Sequence, residues 1–200
     1  MTKKAVVLLV EGFEEVEAVT PVDYLRRAGI EVTTAAVSVG NALAVKGARG
    51  IAINADTTLE ELSVKNESAF WDAVIIPGGM PGAVNIASSK EACALIAEAA
   101  AAGKWVCAIC ASPAIVLAPL GLLAGRKFTC YPGFEEKVSG NGAANGGEWT
   151  GESVVVDGNA GSGGIITSRS AGTAGVFAIT VIRQLLGNAE ADKIAKAVII

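Results

Sequence analysis

The stretch WVCAICASP at residues 105–113 constrains the fold of this chain more than any other feature. Residues 105–109 form a continuous apolar run, which is the pattern of a strand covered on both faces of a sheet. Ser112 suits an N-cap and Pro113 suits a first helical position, so we expect a helix directly after the strand. Cys110 then lies in a strand-to-helix corner, where the positive end of a helix dipole would favour its thiolate.

The rest of the chain alternates between apolar strands and helical segments. Two hundred residues with 52% hydrophobic content are enough for one well-buried domain, which we expect to span residues 1–200. Strands alternating with helices of ten to fifteen residues predict an α/β fold, a parallel sheet sandwiched between helices. Further strands are predicted at 5–10, 30–39, 71–79, 126–130 and 164–168, helices at 14–28, 89–102, 171–186 and 189–200, and an edge hairpin within 41–55.

The chain contains no histidine. Its absence excludes Cys-His and Ser-His catalysis and every metal site that needs a histidine ligand. Chemistry here must therefore use cysteine, carboxylate, tyrosine or backbone groups, and we expect neither a metal nor a cofactor.

Charge, hydropathy and cysteine spacing indicate which partners and which cellular compartment to expect. A net charge of −4 gives no basic footprint for nucleic acid, and no segment approaches ~18 consecutive apolar residues, so no membrane span is expected. The four cysteines lack a spaced disulfide framework and no leader is evident, which predicts a reduced, cytoplasmic protein.

The loops after three strands are expected to meet around Cys110. In open parallel sheets, sites form at the carboxyl ends of strands, and the loops EGFEE, PGGMPG and CAS each follow such an end. Glu14 and Glu17 share a face of the first helix. They could simply complement the helix dipole, or one of them could share a proton with the thiol.

The glycines of the PGG turn provide a second open alternative. Gly78 and Gly79 could simply form a turn, or their backbone N–H groups, with that of Ala111, could stabilise an anion at Cys110. Three weaker candidates for the pocket wall are Tyr131, Arg169 and Thr173.

Cys110 also has two less reactive interpretations. It could be a buried structural cysteine, or it could form a C-x-x-C redox or metal pair with Cys107. Residues three apart in a strand point to opposite faces, so we expect Cys107 to belong to the core.

Four segments of the chain match a known family in order and spacing: EGFEEVEAVTPVDYLRRAGIEVTTA, DAVIIPGGMPGAVN, CAICASPAIVL and TSRSAGT. With these segments the chain resembles the ThiJ/PfpI superfamily, in particular its Parkinson-disease-associated deglycase-like branch. The resemblance implies a flavodoxin-like sandwich and a homodimer. It also implies a nucleophilic, easily oxidised Cys110, a partner carboxylate at Glu17, and oxyanion-stabilising amides at Gly79 and Ala111.

The resemblance implies two kinds of function. Proteins of this branch act as cofactor-independent glyoxalases or deglycases on α-oxoaldehydes and their adducts, and as oxidative-stress sensors and chaperones. Where many relatives carry a histidine before a proline, this chain has Tyr131 before Pro132, and Ser170-Ala171 replaces a frequent Gly-Pro. Without histidine, the protease activity sometimes attributed to the superfamily is not expected.

We therefore predict a cysteine-dependent glyoxalase or deglycase that acts on a small carbonyl substrate. The alternative is a redox sensor whose Cys110 is oxidised to sulfinate without obligatory turnover. An inert binding scaffold with the same fold is the third interpretation.

Overall fold

A computed structural model of the protein describes residues 2–37, 42–64, 71–140 and 146–200. The strands, in chain order, are β1 (Lys4–Leu9), β2 (Glu31–Ala36), β3 (Ala44–Lys46), β4 (Ala52–Asn54), β5 (Thr57–Thr58), β6 (Ala73–Ile76), β7 (Trp105–Ile109), β8 (Lys127–Phe128), β9 (Glu148–Trp149), β10 (Val154–Asn159) and β11 (Gly163–Ser168). The helices are α1 (Glu15–Arg27), α2 (Leu59–Val64), α3 (Gly82–Ser88), α4 (Lys90–Ala101), α5 (Glu135–Gly140), α6 (Ala174–Leu186) and α7 (Asn188–Val198).

A seven-stranded sheet forms the centre of the fold, in the order β10-β11-β7-β6-β1-β2-β5. Neighbouring strands are parallel throughout, except that the edge strand β10 runs antiparallel to β11. The predicted hairpin also forms, as the separate antiparallel pair β3–β4. The mostly parallel sheet confirms the predicted α/β class.

Each face of the sheet is covered by its own layer of helices. On β1, Val7 and Leu9 pack with α1, α6 and α7, whereas Val6 and Leu8 pack on the other face with α2, α3 and α4. This alternation follows from the two-residue period of a strand. All five residues of β7 are buried, as the unbroken apolar run predicts.

The register of the central strands brings their carboxyl ends to one level. Ile76 of β6 pairs with Ala108 of β7, and Ser168 of β11 pairs with Ile109. The loops that follow these strands therefore leave the sheet at the same edge, together with the loop after β1.

The segment after Cys110 differs from the prediction. Residues Pro113–Leu117 form a π-helix, and the Ser112 hydroxyl does not cap it. The hydroxyl instead donates a buried hydrogen bond of 2.6 Å to the Pro77 carbonyl. Ser112 thus ties the β7 corner to the turn after β6.

Several other elements also depart from the sequence expectation. Strand β8 is shorter than predicted and pairs with β9 outside the main sheet, and helices α2 and α3 were not anticipated. On α1, helical spacing places Val16, Val19, Val22 and Leu25 near one face, which predicts that they are buried together. Leu25 is buried, but Val16 and Val19 are about half exposed, while Glu15 and Glu17 are buried. The end of the predicted strand 30–39 and the start of the predicted hairpin, at residues 38–41, lie outside the described residues. Among the residues that are described, no helix is both long enough and apolar enough to cross a membrane.

Candidate active site

Cys110 follows β7 directly and adopts a left-handed backbone conformation, with φ of 65°. Its N–H donates to the Ser168 carbonyl at 2.9 Å, and its own carbonyl accepts from the Tyr131 N–H at 2.8 Å. Non-glycine residues rarely adopt positive φ, because the Cβ atom meets the backbone. These two hydrogen bonds hold Cys110 at a sharp corner on the edge of the sheet.

Glu17 lies on the buried face of α1 and has no solvent-exposed surface. Its Oε2 accepts a hydrogen bond of 2.9 Å from the Gly78 N–H. Its own N–H donates to the carboxylate of Glu14, the N-cap of α1, at 2.8 Å. The start of the helix and the turn after β6 thus fix the Glu17 carboxyl in place.

Gly78 allows the carboxyl and the thiol to approach each other. A Cβ atom at this position would lie 2.7 Å from the Cys110 Cβ and 2.7 Å from Glu17 Oε2. Real Cβ atoms do not come this close to other heavy atoms, so a side chain here would push the two groups apart. The absence of a side chain at Gly78 therefore allows the Glu17 carboxyl and the Cys110 thiol to lie next to each other.

Burial controls the protonation of Glu17. It raises the pKa of Glu17 from 4.5 to about 7, and the negative charge of Glu14 acts in the same direction. Oε1 makes no hydrogen bond of good geometry among the described residues, although the Cys110 thiol and the Ala171 N–H are close enough to lower the pKa.

Cys110 is held as a thiol by the same surroundings. Burial first, and Glu17 second, raise the pKa of Cys110 to about 12, while the N–H groups of Gly79 and Ala111 lower it. The prediction that a helix dipole favours the thiolate is therefore wrong, because desolvation outweighs the local N–H groups. Where Glu17 is ionised and Cys110 is not, the thiol proton is the one proton that the two side chains hold between them.

The N–H groups of Gly79 and Ala111 converge on the Cys110 sulfur and act on its pKa as hydrogen-bond donors. Gly79 reaches this position with φ of 92°, and its close packing against Gly12 and Glu14 leaves no room for a side chain. The structure thus brings two of the three sequence-predicted amides to the thiol, whereas the third, the Gly78 N–H, donates to Glu17 instead.

A pocket of about 230 Å³ opens over the thiol. Its lining is mostly apolar or backbone and includes two charged residues, Glu14 and Arg49. Its walls are formed by Glu14, Ala48, Arg49, Gly79, Met80, Cys110, Ala111, Tyr131 and Phe134. The Tyr131 ring meets the Phe134 ring edge to face, at 6.0 Å between centroids.

Two of the weaker candidates lie elsewhere. The Arg169 guanidinium donates to the Gly151 carbonyl and to the Ser153 hydroxyl. The Thr173 hydroxyl is buried against Ser168 and the backbone of Ser170. Both side chains fix the turn after β11, and neither lines the pocket.

Four pocket residues were not anticipated from the sequence: Ala48, Arg49, Met80 and Phe134. Met80 and Phe134 follow Gly79 and Tyr131 closely, so proximity to those candidates could have suggested them. Ala48 and Arg49 come from the β3–β4 turn, and no pattern in the sequence connects that turn to Cys110.

The other cysteines lie apart from the pocket. All four cysteines are free, and Cys107 is fully buried in the core, as predicted. Within the described ranges, no group of three or more Cys, Asp or Glu side chains could hold a metal ion.

Comparison with known proteins matches this fold and site to one family. The model of the DJ-1/PfpI family matches residues 3–184. The chain belongs to the DJ-1/PfpI family. The resemblance noted from the four sequence segments is thereby confirmed.

Relatives within the DJ-1/PfpI family match most or all of this chain. This chain is 37% identical over 199 residues to Protein DJ-1 homolog A of Arabidopsis thaliana. The match covers 100% of this chain but 46% of that protein. The chain is 32% identical over 157 residues to Deglycase PH1704 of Pyrococcus horikoshii, covering 78% of this chain and 86% of that protein. The crystal structure of Drosophila melanogaster DJ-1beta superposes with a TM-score of 0.87 at 33% identity, over 100% of this chain and 99% of that one. The chain thus spans about half the length of the Arabidopsis relative and nearly all of the Drosophila structure.

Proposed function

We propose that this DJ-1/PfpI protein is a cysteine-dependent, cofactor-independent glyoxalase or deglycase that acts on small α-oxoaldehydes or their adducts. One observation carries the proposal: the Cys110 sulfur lies between two backbone N–H donors and a buried glutamate, at the base of a pocket of about 230 Å³. The similarity to a protein named as a deglycase supports the same class of reaction.

The reaction begins with addition of the thiol to the aldehyde. Ionised Glu17 accepts the Cys110 proton as the sulfur bonds to the aldehyde carbon, and the aldehyde oxygen gains a negative charge that the N–H groups of Gly79 and Ala111 stabilise. Glu17 then gives this proton to the oxygen, which completes the hemithioacetal and leaves Glu17 ionised to act as a base again.

Proton movement between two adjacent carbons completes the chemistry. Glu17 removes the hydrogen from the former aldehyde carbon and returns a proton to the neighbouring ketone carbon, so the first carbon is oxidised as the second is reduced. The product is a thioester of a 2-hydroxy acid, and water cleaves it to release the acid and restore the thiol. No external oxidant or cofactor is consumed.

Turnover of methylglyoxal to lactate tests the proposal. We expect the wild-type protein to form lactate and both Cys110→Ala and Glu17→Gln to lose this activity. Cys93→Ser is the matched control, because Cys93 is a partly exposed thiol on α4 outside the pocket. Equal lactate formation by wild type and Cys110→Ala would overturn the proposal.

A redox-sensing role is the second candidate, favoured by the environment of Glu17 Oε1. This buried oxygen makes no good hydrogen bond among the described residues, and in its protonated form it could donate to an oxygen added to the Cys110 sulfur. Because ionised Glu17 can take the Cys110 proton as the sulfur attacks peroxide, mass spectrometry after mild peroxide treatment should find two added oxygens on Cys110 before any other cysteine. Equal oxidation of Cys93 and Cys110 would argue against sensing.

We further propose a cytoplasmic homodimer. The four free thiols support a reducing compartment. Val16 and Val19 are exposed apolar residues three apart on α1, and the exposed Ile51 lies on the turn that is bound to α1 through Glu15, which supports an apolar interface there. Light scattering should give twice the mass of the chain, and a monomeric mass for the double variant Val16→Glu, Val19→Glu. A monomeric wild type would refute this assembly.

A further inference from the structure

Arg49 introduces a positive charge into the wall of the Cys110 pocket. Arg49 and Glu14 are the charged residues that line this pocket. Glu14 is already engaged, because its carboxylate caps α1 through the Glu17 N–H. Arg49 takes part in none of the ion pairs among the described residues, so its guanidinium is available to a ligand.

Glu15 fixes the turn that carries Arg49. The buried Oε1 of Glu15 accepts hydrogen bonds from the N–H of Arg49 at 2.7 Å and of Ile51 at 3.3 Å. Gly47 packs so closely on the Glu15 carboxyl that a Cβ there would lie 2.5 Å from it. Glu15 thus holds residues 47–51 as a unit beside the start of α1.

Two backbone hydrogen bonds attach the same turn to the loop after β1. The Gly12 N–H donates to the Lys46 carbonyl at 2.8 Å, and the Ala48 N–H donates to the Phe13 carbonyl at 2.8 Å. These hydrogen bonds fix the backbone of the turn, so the exposed Arg49 side chain extends along the pocket wall from a defined position.

We propose that Arg49 is a specificity-determining residue that selects substrates with a carboxylate next to the reacting carbonyl groups, and that Glu15 is its positioning residue. The inference rests on the proposed function, because it names a substrate class for the same Cys110 site. Arginine suits this task, since its planar guanidinium pairs with a carboxylate through two parallel hydrogen bonds.

The simplest substrate of this class is 2,3-dioxopropanoate, which carries a carboxylate where methylglyoxal carries a methyl group. Cys110 adds to its aldehyde carbon and Glu17 transfers the proton as before. One water is consumed, the aldehyde carbon becomes a carboxylate, and the ketone carbon becomes CH–OH. The product is 2-hydroxymalonate, with one proton released and no external oxidant required.

Alkylation of Cys110 tests the charge of the pocket independently of turnover. Iodoacetate and iodoacetamide are similar in size and differ by one negative charge, so the ratio of their rate constants at Cys110 reports the local field. A full charge at about 6 Å in water changes a rate by about threefold, and by more in a partly enclosed pocket. We expect the iodoacetate-to-iodoacetamide ratio to fall about three- to tenfold in Arg49→Gln and to recover in Arg49→Lys.

The control for this measurement is Lys196→Gln, which removes an exposed cation from α7 and should leave the ratio at the wild-type value. A ratio that changes by less than about twofold in Arg49→Gln would overturn the proposal. An equal fall in Lys196→Gln would also overturn it, because the effect would then reflect net charge alone.

The direction in which the iodoacetate-to-iodoacetamide ratio changes in Glu15 variants tests the role of Glu15. Removing its negative charge would by simple electrostatics raise the reactivity of iodoacetate, whereas releasing the turn that holds Arg49 should lower it. We expect the ratio to fall in Glu15→Ala and to stay at or above the wild-type value in Glu15→Gln, which keeps an oxygen acceptor. A rise in Glu15→Ala would refute the positioning role. Should that variant fail to fold, Glu15→Asp keeps the charge but shortens the side chain that holds the turn; it should lower the ratio, and an unchanged ratio would refute the positioning role.

Turnover then separates this inference from the proposed function. We expect kcat/KM for 2,3-dioxopropanoate relative to methylglyoxal to fall about tenfold in Arg49→Gln, which is one bidentate contact of about 1.4 kcal/mol. If wild type converts methylglyoxal and this ratio does not depend on Arg49, the inference fails and the proposed function stands. If neither compound is converted, the proposed function fails, and the alkylation ratios alone decide whether the pocket binds anions through Arg49.

Discussion

The buried carboxyl of Glu17 should make the stability of the protein fall as the pH rises. Its pKa is about 7 in the folded protein against 4.5 for the free side chain, so between these values the folded state holds a proton that the unfolded state has lost. The free energy of unfolding therefore decreases with rising pH across this window. Each pH unit within it contributes about 1.4 kcal/mol, which gives a loss of about 3 kcal/mol between pH 4.5 and pH 7.

Urea unfolding of wild type and Glu17→Gln at fixed protein concentration, from pH 4.5 to pH 8, measures this loss. Glutamine does not titrate and can still accept from the Gly78 N–H, so subtracting the two curves cancels the other ionisable groups. The stability of wild type relative to the variant should fall by about 3 kcal/mol over the range. A constant difference would show that the Glu17 pKa is not raised, and would remove the basis for a proton shared with Cys110.

Three further predictions concern the same site. Gly78→Ala should reduce the free energy of unfolding by about 1–3 kcal/mol through overpacking against Cys110 and Glu17. Gly172→Ala is the control, because a Cβ there would make only an ordinary contact of 3.9 Å with the Ser170 hydroxyl. Equal stability of the two variants in urea would contradict the packing. Ser112→Ala should lower the midpoint of thermal unfolding, since the buried Pro77 carbonyl loses its donor at a cost of about 1–3 kcal/mol; an unchanged midpoint by calorimetry would count against this role. The kcat/KM for methylglyoxal should rise through about pH 7 as Glu17 ionises and becomes a base, whereas a profile that is flat from pH 6 to pH 8 would exclude Glu17 as that base.

The sheet could be predicted because its signals are local. The unbroken apolar run of β7 and the Gly-terminated helices α1 and α4 are properties of short segments, and all three form near the expected positions. Strand β8 could not be assigned in the same way, because its two residues pair with β9 about twenty positions later, outside the main sheet. That pairing depends on tertiary context rather than on a pattern within 126–130.

The candidate site was partly predictable for a topological reason. Cys110, Glu17 and Gly79 follow from the rule that parallel strands present their carboxyl ends at one edge. Apolar spacing predicted the rotation of α1 only in part, because Leu25 is buried while Val16 and Val19 are half exposed. Glu15 and Glu17 are buried instead, and their side chains accept hydrogen bonds from the Arg49 and Gly78 N–H groups. The position of Arg49 depends on the rotation of α1, since the turn that carries Arg49 is bound to Glu15.

The left-handed backbone at Cys110 places the thiol at the corner of the sheet edge, but it lowers the stability of the folded chain. A residue with a Cβ at φ of 65° costs about 1–2 kcal/mol relative to a relaxed backbone, and glycine would avoid that cost. Selection for thermal stability alone would therefore favour Gly over Cys at residue 110. A library of this protein screened only for heat resistance should accumulate catalytically inactive sequences at this corner, whereas a screen that also requires turnover should retain the strained cysteine.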